Sequence, residues 1–213
     1  MKYILYVALV SVLLPHPARA ESLVVGAFSQ GELAQWEEKS FAGHTQYTLV
    51  DTARGEVLKA QSQNAASGLF KKVEIDLTQT PYLNWSWRVD RLIEGNNERE
   101  KSGDDYPARL YVVVSGGLFF WKTRALNYVW SSHQPANTHW PNAFTSNARM
   151  VAVRSGDKRL GQWISEKRNV REDLKQLFGE EITRIDAIAI MSDSDNSGQS
   201  TTAYFGDISF SDK

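Results

Sequence analysis

The chain has 213 residues, with 24 lysines and arginines against 25 aspartates and glutamates, and a formal net charge of −1. It carries no basic stripe that could neutralise phosphates, which argues against nucleic acid as a partner. It also has no cysteine, which excludes disulfides, thiolate metal sites and a lipid-modified N-terminal cysteine.

The first twenty residues have the pattern of a secretory signal peptide. Lys2 is followed by an apolar run over residues 3–14 and by the small-x-small triplet Ala18-Arg19-Ala20. The run is too short to span a bilayer, which disfavours a retained membrane anchor, and no later segment reaches about 18 apolar residues. We therefore predict a signal peptide (1–20) cleaved after Ala20, no membrane span after cleavage, and one periplasmic or secreted domain (21–213).

Apolar or alternating segments recur through that domain and predict strands. The clearest is 83–90, LNWSWRVD, in which every second residue is apolar. The other predicted strands are 22–28, 45–51, 57–61, 67–73, 109–115, 125–131, 150–155, 162–167, 185–192 and 203–210. Two long polar loops, 91–107 and 132–148, separate some of them, and long loops in compact domains are often functional.

One helix is predicted over 170–178. Asn169 can cap its first turn, Glu172 completes a capping box, and Gly179 stands where a C-terminal cap belongs. One short α-helix among so many strands predicts an all-β fold, a jelly-roll β-sandwich of two antiparallel sheets.

The segment 103–109, GDDYPAR, holds two adjacent carboxylates and an arginine. Adjacent residues of an extended chain point to opposite sides, so Asp104 and Asp105 do not share one site. Glycoside hydrolysis would need a second carboxylate about 5–9 Å across a gap, which Glu166 or Asp193 could supply. A structural contact between Asp and Arg109 is the favoured interpretation, with catalysis as the alternative.

The segment 193–198, DSDNSG, begins like an EF-hand loop. The twelfth loop position is Tyr204 and the flanks are strands, so an EF-hand is excluded. Oxygen ligands from Asp193, Asp195 and Asn196 could still hold a structural calcium ion, although these residues also favour an ordinary hairpin turn. His133 and His139 have the wrong spacing for zinc, and no nucleotide-binding or serine-nucleophile motif occurs.

Aromatic and polar residues around the middle strands are suited to sugars, because Trp and Tyr rings stack on pyranose faces while Asn, Asp and Arg bind hydroxyls. Trp85 and Trp87 are assigned to the core. The strand register of 125–131 leaves open whether Asn127, or Tyr128 with Trp130, faces a ligand. The candidate ligand contacts are Arg88, Asp104, Asp105, Arg109, Asn127, Trp130 and Trp140.

Several of these segments resemble an uncharacterised bacterial family of exported proteins, known only as a domain of unknown function. The motifs are GDDYPARLYVVV (103–114), ALNYVW (125–130) and IAIMSDSDNSG (188–198). The resemblance covers essentially the whole mature chain and implies no activity.

A weaker resemblance links the first and last strands, the latter with the sequence AYFGDI (203–208), to galactose-binding-like jelly rolls of carbohydrate-binding modules. It implies a concave sheet that binds saccharide and a structural calcium ion near the chain ends, where Asp207 matches the closing Asp. The sequence thus predicts a non-catalytic binding protein for saccharide or cell-envelope glycan. The alternatives are a polysaccharide hydrolase or lyase of the same fold and a structural or assembly partner in the envelope.

Overall fold

The structure is a computed structural model that describes residues 22–213, so the predicted signal peptide and its cleavage site lie outside the described residues. Fourteen strands and one α-helix occur in this part of the chain. The strands are β1 (Ser22–Gly26), β2 (Glu37–Ala42), β3 (Gln46–Thr52), β4 (Gly55–Gln63), β5 (Ala66–Asp76), β6 (Tyr82–Val89), β7 (Ala108–Val114), β8 (Arg124–Ser131), β9 (His139–Pro141), β10 (Ala148–Ser155), β11 (Ile164–Asn169), β12 (Arg184–Asp193), β13 (Ser200–Phe205) and β14 (Ile208–Ser211); the helix is α1 (Val170–Phe178).

The strands form two sheets. Sheet I has the order β1-β14-β6-β13-β4-β3, and β11 also pairs with β6; sheet II has the order β2-β5-β12-β7-β8-β10-β9. The first and last strands, β1 and β14, lie side by side. The predicted jelly-roll β-sandwich is confirmed.

One strand pair departs from the predicted antiparallel sheets. β8 and β10 run parallel, whereas the other strand pairings within residues 22–213 are antiparallel. A parallel pair needs a crossover of a dozen or more residues, and the long connection 132–147 provides it while also forming β9.

The core lies between the two sheets. Leu83, Trp85, Trp87 and Val89 alternate along β6 and are all buried. From sheet II, the Tyr128 ring stacks on Trp85 with centroids 5.4 Å apart. The assignment of Trp85 and Trp87 to the core follows from this alternation and is confirmed.

Helix α1 has the predicted caps. The Asn169 side chain accepts a hydrogen bond from the Glu172 backbone N–H at 3.2 Å, and Gly179 ends the helix with a left-handed φ of 72°. Val170 and Leu174 are buried against the core, so α1 closes one edge of the sandwich. Among residues 22–213 no helix has the length and hydropathy that a bilayer crossing requires.

The predicted strand 203–210 divides into β13 and β14 at Gly206. The Gly206 N–H donates to the Ser86 carbonyl oxygen at 2.9 Å, and a Cβ at this position would lie 2.3 Å from Ser86 Oγ. A larger residue would force the Ser86 hydroxyl to turn away, because the backbone leaves β13 here and passes close to β6.

Candidate functional site

A groove of about 430 Å³ crosses the outer face of sheet II. Its floor comes from the side chains of β7, β8 and β12 that alternate with core residues, among them Tyr111, Asn127 and Met191. This volume is typical of small-ligand sites. We call this depression the sheet II groove.

Two exposed phenyl rings stand at the rims of the groove. Phe41 of β2 is 58% exposed, and Phe144, in the turn between β9 and β10, is 56% exposed. Since β2 and β9 are the two edge strands of sheet II, the rings lie on opposite sides of the groove. Exposed aromatic rings on either side of a polar floor are suited to stacking against a flat ligand.

Arg109 organises one end of the floor. Its Nε donates to Asp193 Oδ1 at 2.7 Å, and Nη2 donates to Asp193 Oδ2 and to the Asp104 carbonyl oxygen. Nη1 donates to the Tyr111 hydroxyl at 3.2 Å, and the guanidinium lies over the Tyr106 ring, 4.3 Å from its centroid. The arginine is therefore held on all sides by the protein.

Burial and charge shift the pKa values of these groups. Burial opposes the charge of Arg109, but Asp193, Tyr111 and Asp104 together raise its pKa well above the ordinary value. Burial also raises the pKa of the Asp193 carboxyl, while the Arg109 guanidinium opposes the rise. Burial therefore opposes the charge on both partners, while each partner's charge favours that of the other.

Asp104 lies beside this pair and faces the groove. Its two carboxylate oxygens accept hydrogen bonds from Asn142 Nδ2 at 3.1 and 2.9 Å, and Oδ2 is 3.6 Å from Arg109 Nη1. A carboxylate offers about four lone-pair positions, so Asp104 has room to accept further donors from a ligand.

Asn127 carries the clearest unsatisfied group. Its side chain lines the groove and is only 1% exposed, yet Oδ1 has no hydrogen-bond partner within residues 22–213. A buried polar atom without a partner costs about 1–3 kcal/mol. The oxygen is closed to solvent, so a ligand donor in the groove would remove that cost once the Asn127 amide turns toward it.

The chain also matches the model of one known sequence family. Residues 34–209 match the model of a family described as a protein of unknown function, DUF3047. The chain belongs to the DUF3047 family. The family match confirms the resemblance to an uncharacterised bacterial family. No curated protein matches the chain.

A solved structure shares the fold of this DUF3047 protein. A family 30 carbohydrate-binding module of a cellulosomal cellulase from Clostridium thermocellum superposes with a TM-score of 0.53 and 12% identity, over 89% of this chain and 96% of that one. A family 11 module of another cellulosomal cellulase from the same organism gives 0.48 and 9%, over 91% and 95%. At 12% identity the likeness to the family 30 module shows the fold alone.

Four predicted residues of the DUF3047 chain lie outside the groove. Arg88 is on the outer face of sheet I, where Asp90 accepts its hydrogen bonds at 2.6 and 2.9 Å. Trp130 is fully buried in the core and Trp140 is 2% exposed. Asp105 is fully buried, and its oxygens accept from the backbone N–H groups of Asn196 and Ser197. The structure therefore does not bring these four side chains into the groove, and their predicted contact with a ligand stays a prediction.

The predicted metal ligands are only partly brought together. Carboxylate oxygens of Asp105, Asp193 and Asp195 lie within 4.8 Å of one another, and the Asn196 amide nitrogen bridges Asp105 and Asp195. Asp207 does not join them, because its carboxylate accepts from the Ser29 N–H and hydroxyl on the outer face of sheet I.

A calcium ion does not fit this cluster as it stands. Calcium takes about six to eight oxygen ligands, but both oxygens of Asp193 and both of Asp105 already accept hydrogen bonds. Asp193 is already paired with a positive charge, which is that of the Arg109 guanidinium. Burial, with the nearby Asp105 carboxylate, raises the pKa of Asp195, as expected for crowded carboxylates.

We therefore expect the melting temperature to be the same in EGTA and in millimolar calcium chloride, since an ion held only by the folded state would raise it. Differential scanning calorimetry of protein first stripped with EGTA makes the measurement. A rise on adding calcium that EGTA reverses would restore the ion predicted from the sequence.

Glu166, the other carboxylate considered for catalysis, is remote from the groove network. It accepts from Trp87 Nε1 at 3.2 Å and from Arg154 Nε at 2.5 Å. Its partners tie β11 to β6 and to β10 of the opposite sheet. Asp104 and Asp193 do lie together, but both contact the same arginine.

Several groove residues were not candidates from the sequence: Phe41, Asn142, Phe144 and Met191. Phe41 lies in a polar segment, EEKSFA, that has no strand pattern. Phe144 and Asn142 lie in a loop whose path depends on the crossover to β10. Met191 follows the core residue Ile190 in the predicted strand 185–192, so alternation turns its side chain to the outer face of the sheet. This signal could have identified Met191 as a groove residue.

Proposed function

We propose that the protein is an exported, non-catalytic binding protein and that the sheet II groove holds a saccharide of the cell envelope or its surroundings. The observation that carries this proposal is the groove itself, with exposed Phe41 and Phe144 at its rims and the unpartnered Asn127 Oδ1 on its floor. Aromatic rims and polar floors match the two kinds of surface on a sugar ring.

Export is supported by the signal-peptide pattern of residues 1–20. The shared fold with a carbohydrate-binding module supports a sugar ligand by analogy. The analogy agrees with the groove but does not replace it, because the same fold serves many ligands.

The state of the carboxylates supports binding rather than hydrolysis. A glycosidase needs one carboxyl group free to give a proton and another free to attack or to activate water. Both Asp193 oxygens are bound by Arg109, and Glu166 is bound by Arg154. Of the carboxylates considered for catalysis from the sequence, only Asp104 faces the groove with spare lone pairs. Asp195 also lines the groove, where it accepts a hydrogen bond from Asn196 Nδ2.

The test is a glycan array followed by isothermal titration calorimetry. Phe144→Ala is expected to weaken binding of the best glycan about tenfold, since the loss of an aromatic contact is worth about 0.5–1.5 kcal/mol beyond its area. Phe119→Ala is the matched control, because Phe119 is 50% exposed on the loop between β7 and β8 and lies outside the groove.

Equal binding by Phe144→Ala and wild type, or no binding of any glycan by the wild type, would refute the groove as a saccharide site. The intact mass of protein recovered after export tests the other half of the proposal. A chain that still carries residues 1–20 would contradict cleavage after Ala20.

A further inference from the structure

We infer that the sheet II groove selects uncharged, hydroxyl-rich saccharides and rejects those that carry carboxylate or sulfate groups. The inference rests on the proposed function, because it concerns the ligand of the same groove. The selectivity follows from the hydrogen-bonding positions in the groove that have no partner within the described residues.

Two groups of the floor can accept hydrogen bonds from a ligand. Asn127 Oδ1 is buried and has no partner within the described chain. Asp104 receives two contacts from a single amide nitrogen, Asn142 Nδ2, and so keeps lone pairs for a ligand. A molecule that satisfies these atoms must present O–H or N–H groups, and sugar hydroxyls do so.

The charged donor on the floor is already engaged. Arg109 donates from Nε, Nη1 and Nη2 to Asp193, Tyr111 and the Asp104 carbonyl, and its side chain is only 4% exposed. The Tyr111 hydroxyl donates in turn to Met191 Sδ at 3.3 Å. An anionic group would therefore find no free guanidinium fork, which is the usual partner of a carboxylate or sulfate.

The charge of the floor also opposes an anion. Among the described residues, Asp104, Asp193 and Asp195 line the groove, and Arg109 is the only cation on its floor. Even with one of these carboxyls protonated, two negative charges face one positive charge, and repulsion between like charges grows as water is displaced.

Two lysines stand at the rims and do not change this balance. Lys39 lies 5.3 Å from the Phe41 ring centroid and Lys101 lies 5.5 Å from that of Phe144. Both lysines are exposed, so solvent and salt screen their attraction for a ligand on the floor.

Calorimetry with matched hexasaccharides tests the selectivity. Galacto- and manno-oligosaccharides are compared with oligogalacturonate and oligomannuronate of the same length, beside neutral gluco- and xylo-oligosaccharides. We expect at least one of the two matched neutral hexamers to bind and its uronate counterpart to bind at least tenfold more weakly. A uronate that binds as tightly as its neutral counterpart, or more tightly, would overturn the inference while leaving saccharide binding intact. Absence of binding to every hexamer would instead count against the proposed function itself.

An isosteric variant tests the role of Asp104. Asp104→Asn removes one negative charge and replaces an acceptor with a donor, so the ratio of neutral to uronate affinity is expected to fall at least threefold. Asp157→Asn, on an exposed turn outside the groove, is the control and should leave the ratio unchanged. An unchanged ratio in Asp104→Asn, with the fold intact by circular dichroism, would contradict the assignment of selectivity to this carboxylate.

Discussion

Replacement of Asp193 by alanine is expected to lower the free energy of unfolding by about 3–5 kcal/mol, because it leaves Arg109 buried without its counter-charge. The Arg109 side chain is 4% exposed and that of Asp193 is 2% exposed, so water cannot take over the lost contacts. Asp193 Oδ1 also accepts the Tyr106 N–H at 3.2 Å, and this donor would lose its partner too. Urea denaturation followed by circular dichroism measures the change.

A double variant separates the unpaired charge from the pair itself. Arg109→Met with Asp193→Leu replaces both ions by apolar groups and should recover most of the loss, since buried ion pairs often contribute little net stability. The exposed Asp157→Ala is the control and should stay within about 0.5 kcal/mol of wild type. A loss below about 1 kcal/mol in Asp193→Ala would show that Arg109 reaches solvent or another partner.

Alternation in the sequence was enough to place the core. In LNWSWRVD, every second side chain is apolar, and those side chains are the buried ones in β6. Runs of apolar residues located β7, β8 and β12, and the cap residues Asn169 and Gly179 located the ends of α1. Local patterns succeed here because a half-buried strand and a capped helix leave their signature in consecutive residues.

The edge strands and the order of the strands have no such pattern in the sequence. β2 reads EEKSFA and its first five residues are exposed, so its sequence carries no apolar alternation. β9 has three residues. The parallel pairing of β8 with β10 depends on the path of a long loop, which no short stretch of sequence encodes.

The candidate site was predicted in part for the same reason. Asn127 and Trp130 are three residues apart in β8, so alternation puts them on opposite faces and only one can meet a ligand. The sequence did not decide which, and the structure turns Asn127 to the groove and Trp130 to the core. Asp104, Arg109 and Asp193 lie together because β7 and β12 are neighbours, and that information is not local.

The core position of Trp130 leads to the second large expected effect. Trp130→Ala should lower the free energy of unfolding by about 3–5 kcal/mol, as expected when a large buried aromatic leaves a cavity. The Trp130 ring is fully buried, lies 6.0 Å from the Trp87 ring, and donates from Nε1 to the Gly156 carbonyl oxygen at 3.2 Å. Thermal and urea denaturation measure the loss.

Trp121→Ala is the matched control for this substitution, because Trp121 is 56% exposed on the loop between β7 and β8. Its replacement should cost less, since more than half of its surface is exposed in the folded protein. The molecules of Trp130→Ala that remain folded should bind the best glycan with wild-type affinity, in contrast to Phe144→Ala. Weak binding by a Trp130→Ala protein of undiminished stability would place the indole at the ligand. The ligand site would then lie on a surface other than the sheet II groove.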